Sequence, residues 1–228
     1  RKDMIRAVFI DYMGTLVQEE SEYANAVIGR CFKQSKATKP SEVAAWWFFR
    51  HDELLEECNK NEYKTEYEIA YRTFLLAMEH FQFTDDAHML CEMLTKHWTC
   101  SPPFGDAVPF LQNCPVPVFV VSSNDTLYLE EGLRRLDVPI AGLVSSEMSG
   151  AYKPDTRIFK KALEVSGCLP EEVIHIGDSL RSDALGAQKA GIKPLLLDRY
   201  GKYGPCVFEK VSSLTEALEW LLQKGCSR

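Results

Sequence analysis

The sequence predicts an α/β protein in which an all-helical cap domain is inserted into a Rossmann-like core with a parallel sheet. Three observations predict this fold class. Short apolar runs alternate with helical patterns or loops, polar residues follow the runs, and one long segment contains helical patterns alone. Nearly all-apolar strands are typical of a parallel sheet that is covered on both faces. We expect the core to comprise residues 1–17 and 99–228, and the cap to comprise residues 18–98.

Five apolar runs predict the strands of the core. Each run is short and contains mainly aliphatic residues, which favours a strand that is buried on both sides of the sheet. A helical pattern or a loop separates each later run from the next, as expected for strands that run parallel. The predicted strands lie at residues 4–11, 116–121, 139–145, 173–177 and 193–198.

The segment 18–98 has almost no glycine and no strand-like alternation. Its apolar residues instead recur at helical spacing, which predicts four helices. The segment 101–106 (SPPFGD) then marks the return to the core, because its Pro and Gly residues break the helical run. The four predicted helices lie at residues 20–35, 41–58, 65–82 and 85–98.

Helices are also predicted between and after the later strands. Asp125 and Thr126 precede the pattern LYLEEGLRRL, and Gly191 follows RSDALGAQKA. Asp and Thr are common at helix N-termini, and Gly is common after helix C-termini. Ser213 and Glu216 have the spacing of a capping box before ALEWLL, which predicts a final helix.

The composition narrows the classes of partner. The chain has 228 residues and a net charge of −7, which argues against binding to the phosphates of a nucleic acid. No apolar run approaches the roughly 20 residues that span a bilayer. The first residues lead into a strand rather than a signal peptide, so we expect a cytoplasmic protein, monomeric or homodimeric, that acts on a small molecule.

The eight cysteines are scattered along the chain and form no CxxC pair. Without a secretory context this pattern predicts free thiols rather than disulfides or a zinc site. The cysteines are Cys31, Cys58, Cys91, Cys100, Cys114, Cys168, Cys206 and Cys226.

Polar residues follow the first four predicted strands. In an open parallel sheet, ligands bind beyond the carboxyl ends of the strands, so we expect these residues to share one edge of the sheet. In chain order they are Asp11 with Gly14 and Thr15, then Ser122, Ser123 and Asn124, then Lys153, and finally Asp178 and Asp183.

This set of residues is suited to phosphoryl transfer. A carboxylate such as Asp11 attacks a phosphoryl group only if a cation offsets the charge of both, and the oxygens of Asp178 and Asp183 are ligands that Mg²⁺ prefers. Lys153 and the Ser122 hydroxyl would hold the phosphoryl oxygens. Attack by Asp11 would give an aspartyl-phosphate that water hydrolyses in a second step.

Four segments resemble, in order, the four motifs of the haloacid dehalogenase-like hydrolase superfamily: FIDYMGTLV, VFVVSSND, YKPDTRIF and IHIGDSLRSDALGAQKAG. The helical segment after the first strand resembles the cap of the members that act on small substrates. The resemblance implies that Asp11 is the nucleophile, that Ser122 and Lys153 are catalytic, and that the cofactor is Mg²⁺. The implied metal ligands are Asp11, the main-chain carbonyl of Met13, Asp178 and Asp183.

Further residues are assigned to substrate binding. Gly14, Thr15, Ser123 and Asn124 follow strands that carry catalytic residues, so we expect them to contribute to the phosphate site. In the cap, Arg50 and His51 follow an aromatic run and are placed where they could reach into the active-site cleft. His175, by contrast, lies inside a predicted strand and is interpreted as a core residue.

Met13 departs from the family pattern. Family phosphatases usually have a second Asp at this position, which protonates the leaving oxygen and then activates water, and a thioether does neither. The first expectation remains a Mg²⁺-dependent phosphatase of a small phosphorylated metabolite. Two alternatives stay open: a hydrolase of carbon–halogen or carbon–phosphorus bonds, with Arg50 in a dehalogenase-like position, and a binding or regulatory protein that kept the fold without turnover.

Overall fold

A computed structural model describes residues 4–224 and contains one six-stranded sheet with the order β3-β2-β1-β4-β5-β6, in which all neighbouring strands are parallel. The strands are β1 (Ala7–Ile10), β2 (Val118–Ser122), β3 (Gly142–Ser145), β4 (Val173–Gly177), β5 (Lys193–Leu197) and β6 (Lys210–Val211). The predicted fold class is therefore confirmed. Because β1 lies between β2 and β4, the carboxyl ends of these three strands meet at the middle of one sheet edge.

Ten α-helices accompany the sheet in the described part of the chain. The first four belong to the inserted segment after β1: α1 (Glu22–Gln34), α2 (Pro40–Lys60), α3 (Glu66–Phe81) and α4 (Ala87–Cys100). The remaining helices are α5 (Ala107–Asn113), α6 (Thr126–Leu136), α7 (Ser146–Ser149), α8 (Thr156–Ser166), α9 (Gly186–Lys189) and α10 (Leu214–Gln223). A short π-helical turn (Leu180–Leu185) precedes α9.

The alternating side chains of β1 explain why helices cover both faces of the sheet. Val8 and Ile10 belong to an apolar cluster that includes residues of α5, α6 and α10. Phe9 points to the other face, where it packs in a cluster with Ile158 and Phe159 of α8. Every residue of β1 is buried, so apolar residues on both faces stabilise the strand that carries the first motif.

The inserted helices α1 to α4 have an apolar core of their own. Val27, Trp47, Phe74 and Leu90 come from the four helices and belong to one buried cluster. The aromatic run of α2 divides around the helix, because Trp47 is buried whereas Phe48 is half exposed. The helical character predicted for this segment is confirmed, and the proposed cap boundary at residue 98 stays a prediction.

Several local features differ from the sequence-based expectations. The helix α8 and the strand β6 are not predicted in the sequence analysis. The strand has only two residues, which is too short to give a periodic signal. The capping box before α10 forms only in part: the Ser213 side chain accepts from the Glu216 N–H, but the Glu216 carboxylate bonds to Ser212.

The structure bears on the prediction of free thiols for most of the cysteines. Cys226 lies outside the described residues. The free thiols are Cys31, Cys58, Cys91, Cys100, Cys168 and Cys206. Among residues 4–224, no helix has the length and apolar character that crossing a bilayer requires.

A carboxylate of the core holds the start of a cap helix. Asp125, which precedes α6, accepts hydrogen bonds from the backbone N–H groups of Glu66 and Tyr67 at 2.7 and 2.9 Å. A second connection joins Asn59 of α2 to Tyr152, whose backbone N–H and C=O both bond to the Asn59 amide. These contacts fix the cap helices above the sheet edge where the motif residues lie.

We expect Asp125→Ala to lower the free energy of unfolding by about 1–3 kcal/mol, because two N–H groups lose a buried acceptor. Asp86→Ala is the matched control, since Asp86 caps α4 in the same way but is exposed. Its expected cost is about 1 kcal/mol. Denaturant unfolding of both variants makes the comparison. A cost at Asp125 no larger than at Asp86 would contradict a role for Asp125 in joining cap and core.

Candidate active site

The first candidate residue, Asp11, stands immediately beyond β1. Its backbone N–H donates to the Ile176 carbonyl of β4 at 2.9 Å, so the sheet pairing continues one residue past the strand. The Thr15 hydroxyl donates to Asp11 Oδ2 at 3.3 Å, and the Asp11 side chain is buried. The end of β1 therefore presents this carboxylate in a fixed orientation.

Lys153 joins two carboxylates at the centre of the site. Its Nζ lies 2.5 Å from Asp11 Oδ1 and 2.7 Å from Asp183 Oδ1, and all three side chains are buried. Burial raises the pKa of Asp11 to about 8, although the Lys153 ammonium opposes the shift. Burial would also raise the pKa of Asp183, but Lys153 and His175 outweigh it and hold this pKa well below its usual value.

Asp178 completes a group of three carboxylates. One oxygen from each of Asp11, Asp178 and Asp183 lies within 4.8 Å of the others. Burial and the nearby charge of Asp183 raise the pKa of Asp178. Three carboxylates this close are mutually repulsive, and a bound cation would offset that repulsion.

Two glycines provide the space that these carboxylates occupy. A Cβ at Gly14 would lie 2.9 Å from the Asp178 carboxylate, and Gly14 has a φ of +83°, a conformation that favours glycine. A Cβ at Gly177 would lie 2.2 Å from Asp183 Cγ. A side chain at either position would collide with a carboxylate of the cluster: Asp178 lies against Gly14, and Asp183 lies against Gly177.

The carboxylate cluster fits the Mg²⁺ that the sequence predicts. Carboxylate oxygens are hard ligands of the kind that Mg²⁺ binds, and Asp11 supplies one from the end of β1 while Asp178 and Asp183 supply one each from the segment after β4. Mg²⁺ held there would neutralise phosphoryl charge.

Ser122, Ser123 and Asn124 all line the same cleft as Asp11 and Lys153. The Ser122 hydroxyl donates to Asn124 Oδ1 at 2.8 Å, and the Asn124 backbone N–H donates to Ser122 Oγ at 3.2 Å. The Asn124 amide in turn donates to Glu66 of the cap at 2.8 Å. The turn after β2 is therefore ordered by its own hydrogen bonds and by the cap.

The cleft between core and cap has a volume of about 650 Å³. Its floor contains the carboxylate cluster, Lys153 and the turn after β2, and α2 and α4 contribute to its lining from the cap. His51 lines this cleft, and its ring stacks on Trp47 with centroids 4.6 Å apart. The structure thus brings most of the predicted site residues together around one open cleft.

Three residues that were assigned to substrate binding do not line the cleft. Arg50 pairs with Glu53 on α2, at 2.9 Å, and is absent from the cleft lining. Gly14 and Thr15 are buried beneath it, where Gly14 makes room for Asp178 and Thr15 bonds to Asp11. Their geometry is that of residues that position the carboxylates.

Met13 has a packing role that the sequence did not indicate. It lines the cleft and contacts both the apolar cluster of the core and the apolar cluster of the cap. An apolar side chain at this position therefore joins the two units beside the nucleophile.

Two polar contacts of the cluster were also missed. His175 Nε2 lies 2.9 Å from Asp183 Oδ1, so this residue is both a core residue and a partner of the site. Lys202, which follows β5, lies 3.4 Å from Asp178 Oδ2. Applying the strand-end rule to the fifth strand would have identified the Lys202 segment, whereas nothing in the sequence indicates which face of β4 carries His175.

Comparison with known proteins identifies the family to which the chain belongs. The family model described as haloacid dehalogenase-like hydrolase matches residues 5–191. A glyceraldehyde 3-phosphate phosphatase of Pyrococcus furiosus is 39% identical over 85 residues, which are 37% of this chain and 35% of that protein. A phosphoserine phosphatase of Thermus thermophilus is 42% identical over 57 residues, 25% of this chain and 22% of that protein. The matches thus span about a third or less of these relatives.

Solved structures match over nearly the whole chain at lower identity. The L-2-haloacid dehalogenase from Xanthobacter autotrophicus has a TM-score of 0.81 at 16% identity and covers 96% of this chain and 99% of its own. A HAD-hydrolase, YfnB from Bacillus subtilis, solved with magnesium bound, has a TM-score of 0.77 at 18% identity, with 96% and 99% coverage. At identities this low, the structural similarity shows a shared fold and no more.

The raised pKa of Asp11 predicts how Mg²⁺ binding depends on pH. Below a pKa of about 8 the metal-free protein holds a proton on Asp11. Mg²⁺ must displace this proton, so its affinity should rise as pH rises from about 6 to about 8, by up to about tenfold per pH unit. We expect the Mg²⁺-induced increase in Tm to grow over this range in thermal melts.

Asp178→Asn should lose most of that increase. Asp137→Asn is the control, because Asp137 is exposed at the end of α6 and its φ of +50° suits Asn equally well. An increase in Tm that is independent of pH would contradict the assignment of Asp11 as a metal ligand.

Proposed function

The chain belongs to the haloacid dehalogenase-like hydrolase family, and we propose that it is a Mg²⁺-dependent phosphatase of a small phosphorylated compound. The observation that carries the proposal is the group of Asp11, Asp178 and Asp183 within 4.8 Å, with Lys153 bonded to two of them. This arrangement supplies a nucleophile, oxygen ligands for a divalent cation and a fixed positive charge. The partial similarity to two named phosphatases supports the same reaction.

In this proposal Asp11 attacks the phosphorus atom through a carboxylate oxygen. Lys153 holds a phosphoryl oxygen and orients Asp11, while the Ser122 hydroxyl rotates from Asn124 to a second phosphoryl oxygen. The bond from phosphorus to the leaving oxygen breaks as the aspartyl-phosphate forms. Water then attacks phosphorus, which releases phosphate and regenerates the Asp11 carboxylate.

The dehalogenase alternative receives less support from the geometry. It depended on Arg50, which pairs with Glu53 and does not line the cleft. The group of three carboxylates is suited to a cation, whereas carbon–halogen cleavage needs no metal. The observation that still favours the alternative is Met13, since the proton donor expected in a phosphatase is missing there.

The Asp11→Asn variant tests the nucleophile. The substitution keeps the shape of the side chain but removes the attacking charge, so phosphate release should fall by at least about a thousandfold. Steady-state phosphate release from an aryl phosphate, with Mg²⁺, measures the effect, and Asp137→Asn should keep wild-type turnover. Activity of Asp11→Asn within about tenfold of wild type would remove Asp11 from this role. A wild-type protein that binds phosphate analogues without turnover would favour the binding-protein alternative.

The Met13→Asp variant tests the missing acid. Without a proton donor the protein should hydrolyse aryl and acyl phosphates well and alkyl phosphates poorly, because alkoxides are poor leaving groups. Asp at this position would supply the proton, so alkyl-phosphate turnover should rise by at least about tenfold while aryl-phosphate turnover changes much less.

Met13→Leu is the control for packing, since Leu keeps the contact with both apolar clusters and donates no proton. Paired aryl and alkyl assays and a thermal melt of each variant complete the experiment. Equal effects of Met13→Asp on both substrates would mean that Met13 shapes a pocket for other chemistry.

A further inference from the structure

Carboxylates that do not belong to the metal cluster also line the cleft. Glu19 and Glu20 follow the first motif, and Asp52 projects from α2. Within residues 4–224 their side chains form no hydrogen bond or ion pair at contact distance, although the charge of Arg181 acts on Asp52 and that of Lys202 acts on Glu19. All three residues are exposed, and together they make the potential in this part of the cleft more negative.

The cations near the cleft are already engaged. Lys153 and Arg181 are the basic residues that line it in the described chain, and Arg181 pairs with Glu56. Lys202 pairs with Asp178. Among residues 4–224, no unpaired cation lines the cleft to receive a second anionic group on the substrate, such as a carboxylate.

Aromatic rings complete the same side of the cleft. Trp47 and Phe48 line it from α2, and Trp98 lines it from α4. The faces of Trp and Phe rings attract cations and contact methylene groups. The combination of acidic groups and rings is suited to an ammonium group on a short carbon chain.

His51 provides a separate indication of a polar ligand. Its side chain is buried and lines the cleft, and its Nε2 has no hydrogen-bond partner. Burial lowers the pKa of His51 to about 4, so the ring is neutral near pH 7. In the tautomer that leaves Nε2 unprotonated, this nitrogen accepts a hydrogen bond, and an ammonium N–H is a suitable donor.

We propose that the leaving group of the substrate carries an ammonium group, which the cleft receives between the carboxylates of Glu19, Glu20 and Asp52 and the aromatic rings of the cap. The substrate is then a phosphate monoester of an amine-bearing alcohol. This inference rests on the proposed phosphatase function, because it concerns the group that departs from phosphorus.

Three aryl phosphates test the inference: 4-(aminomethyl)phenyl and 4-ethylphenyl phosphate, which have the same shape, and 4-(carboxymethyl)phenyl phosphate, which carries a negative charge. Aryl leaving groups make the assay independent of the missing acid at Met13. We expect kcat/KM to fall in that order, by at least about tenfold at each step. The ethyl group loses the favourable contact that the ammonium makes, and the carboxylate adds an unfavourable one. The preference should weaken when salt rises from about 0.05 to about 0.5 M, since exposed charges are screened.

The Glu19→Gln/Asp52→Asn double variant locates the preference. Its ratio of kcat/KM for the aminomethyl and ethyl substrates should fall to within about threefold of one. Glu57→Gln, an exposed residue of α2 that does not line the cleft, should keep the wild-type ratio. Thermal melts show whether each variant is folded, and the salt series on the wild-type protein gives the same test without substitutions.

Each outcome separates the two proposals. A wild-type ratio near one, or a preference that neither salt nor the double variant changes, overturns the ammonium assignment while phosphate release upholds the phosphatase. Failure to release phosphate from any of the three substrates overturns both.

Discussion

The contact of the Lys153 ammonium with Asp11 and Asp183 is the interaction on which the site depends. Three carboxylates converge at the ends of β1 and β4 because these strands are neighbours, and their repulsion in a buried site requires a fixed positive charge. The ammonium supplies it at 2.5 and 2.7 Å. Breaking such a buried pair typically costs about 3–5 kcal/mol, so the catalytic arrangement and the stability of the sheet edge are linked.

Local sequence signals were enough to predict the fold class, and most of the residues that they assign to the site line the cleft. Apolar runs that end in Asp11 or Asp178 specify both a strand and the polar residue beyond it. Longer-range geometry could not be predicted in this way. Consecutive residues of α2 such as His51 and Asp52 both line the cleft, whereas Arg50 lies just outside that face of the helix, and the sequence did not indicate where the face begins. The contact of His175 with Asp183 likewise depends on which face of β4 it occupies.

Met13 and the cap helices connect packing to specificity. The thioether contacts the apolar clusters of both units, which accounts for an apolar residue beside the nucleophile where an acid would aid catalysis. The cap also completes the turn after β2 through Glu66 and Asn124, and it lines the leaving-group side of the cleft. The cap is thus positioned to influence both the phosphate site and the choice of substrate.

The central claim is that Asp11, Lys153 and a divalent cation together bind a phosphoryl group. Thermal melting with Mg²⁺ and beryllofluoride, which mimics an aspartyl-phosphate, tests it directly. The account predicts that the two added together raise Tm by more than the sum of their separate effects, and that Asp11→Asn loses this excess. A purely additive effect in the wild-type protein, or an excess that persists in Asp11→Asn, would contradict the account.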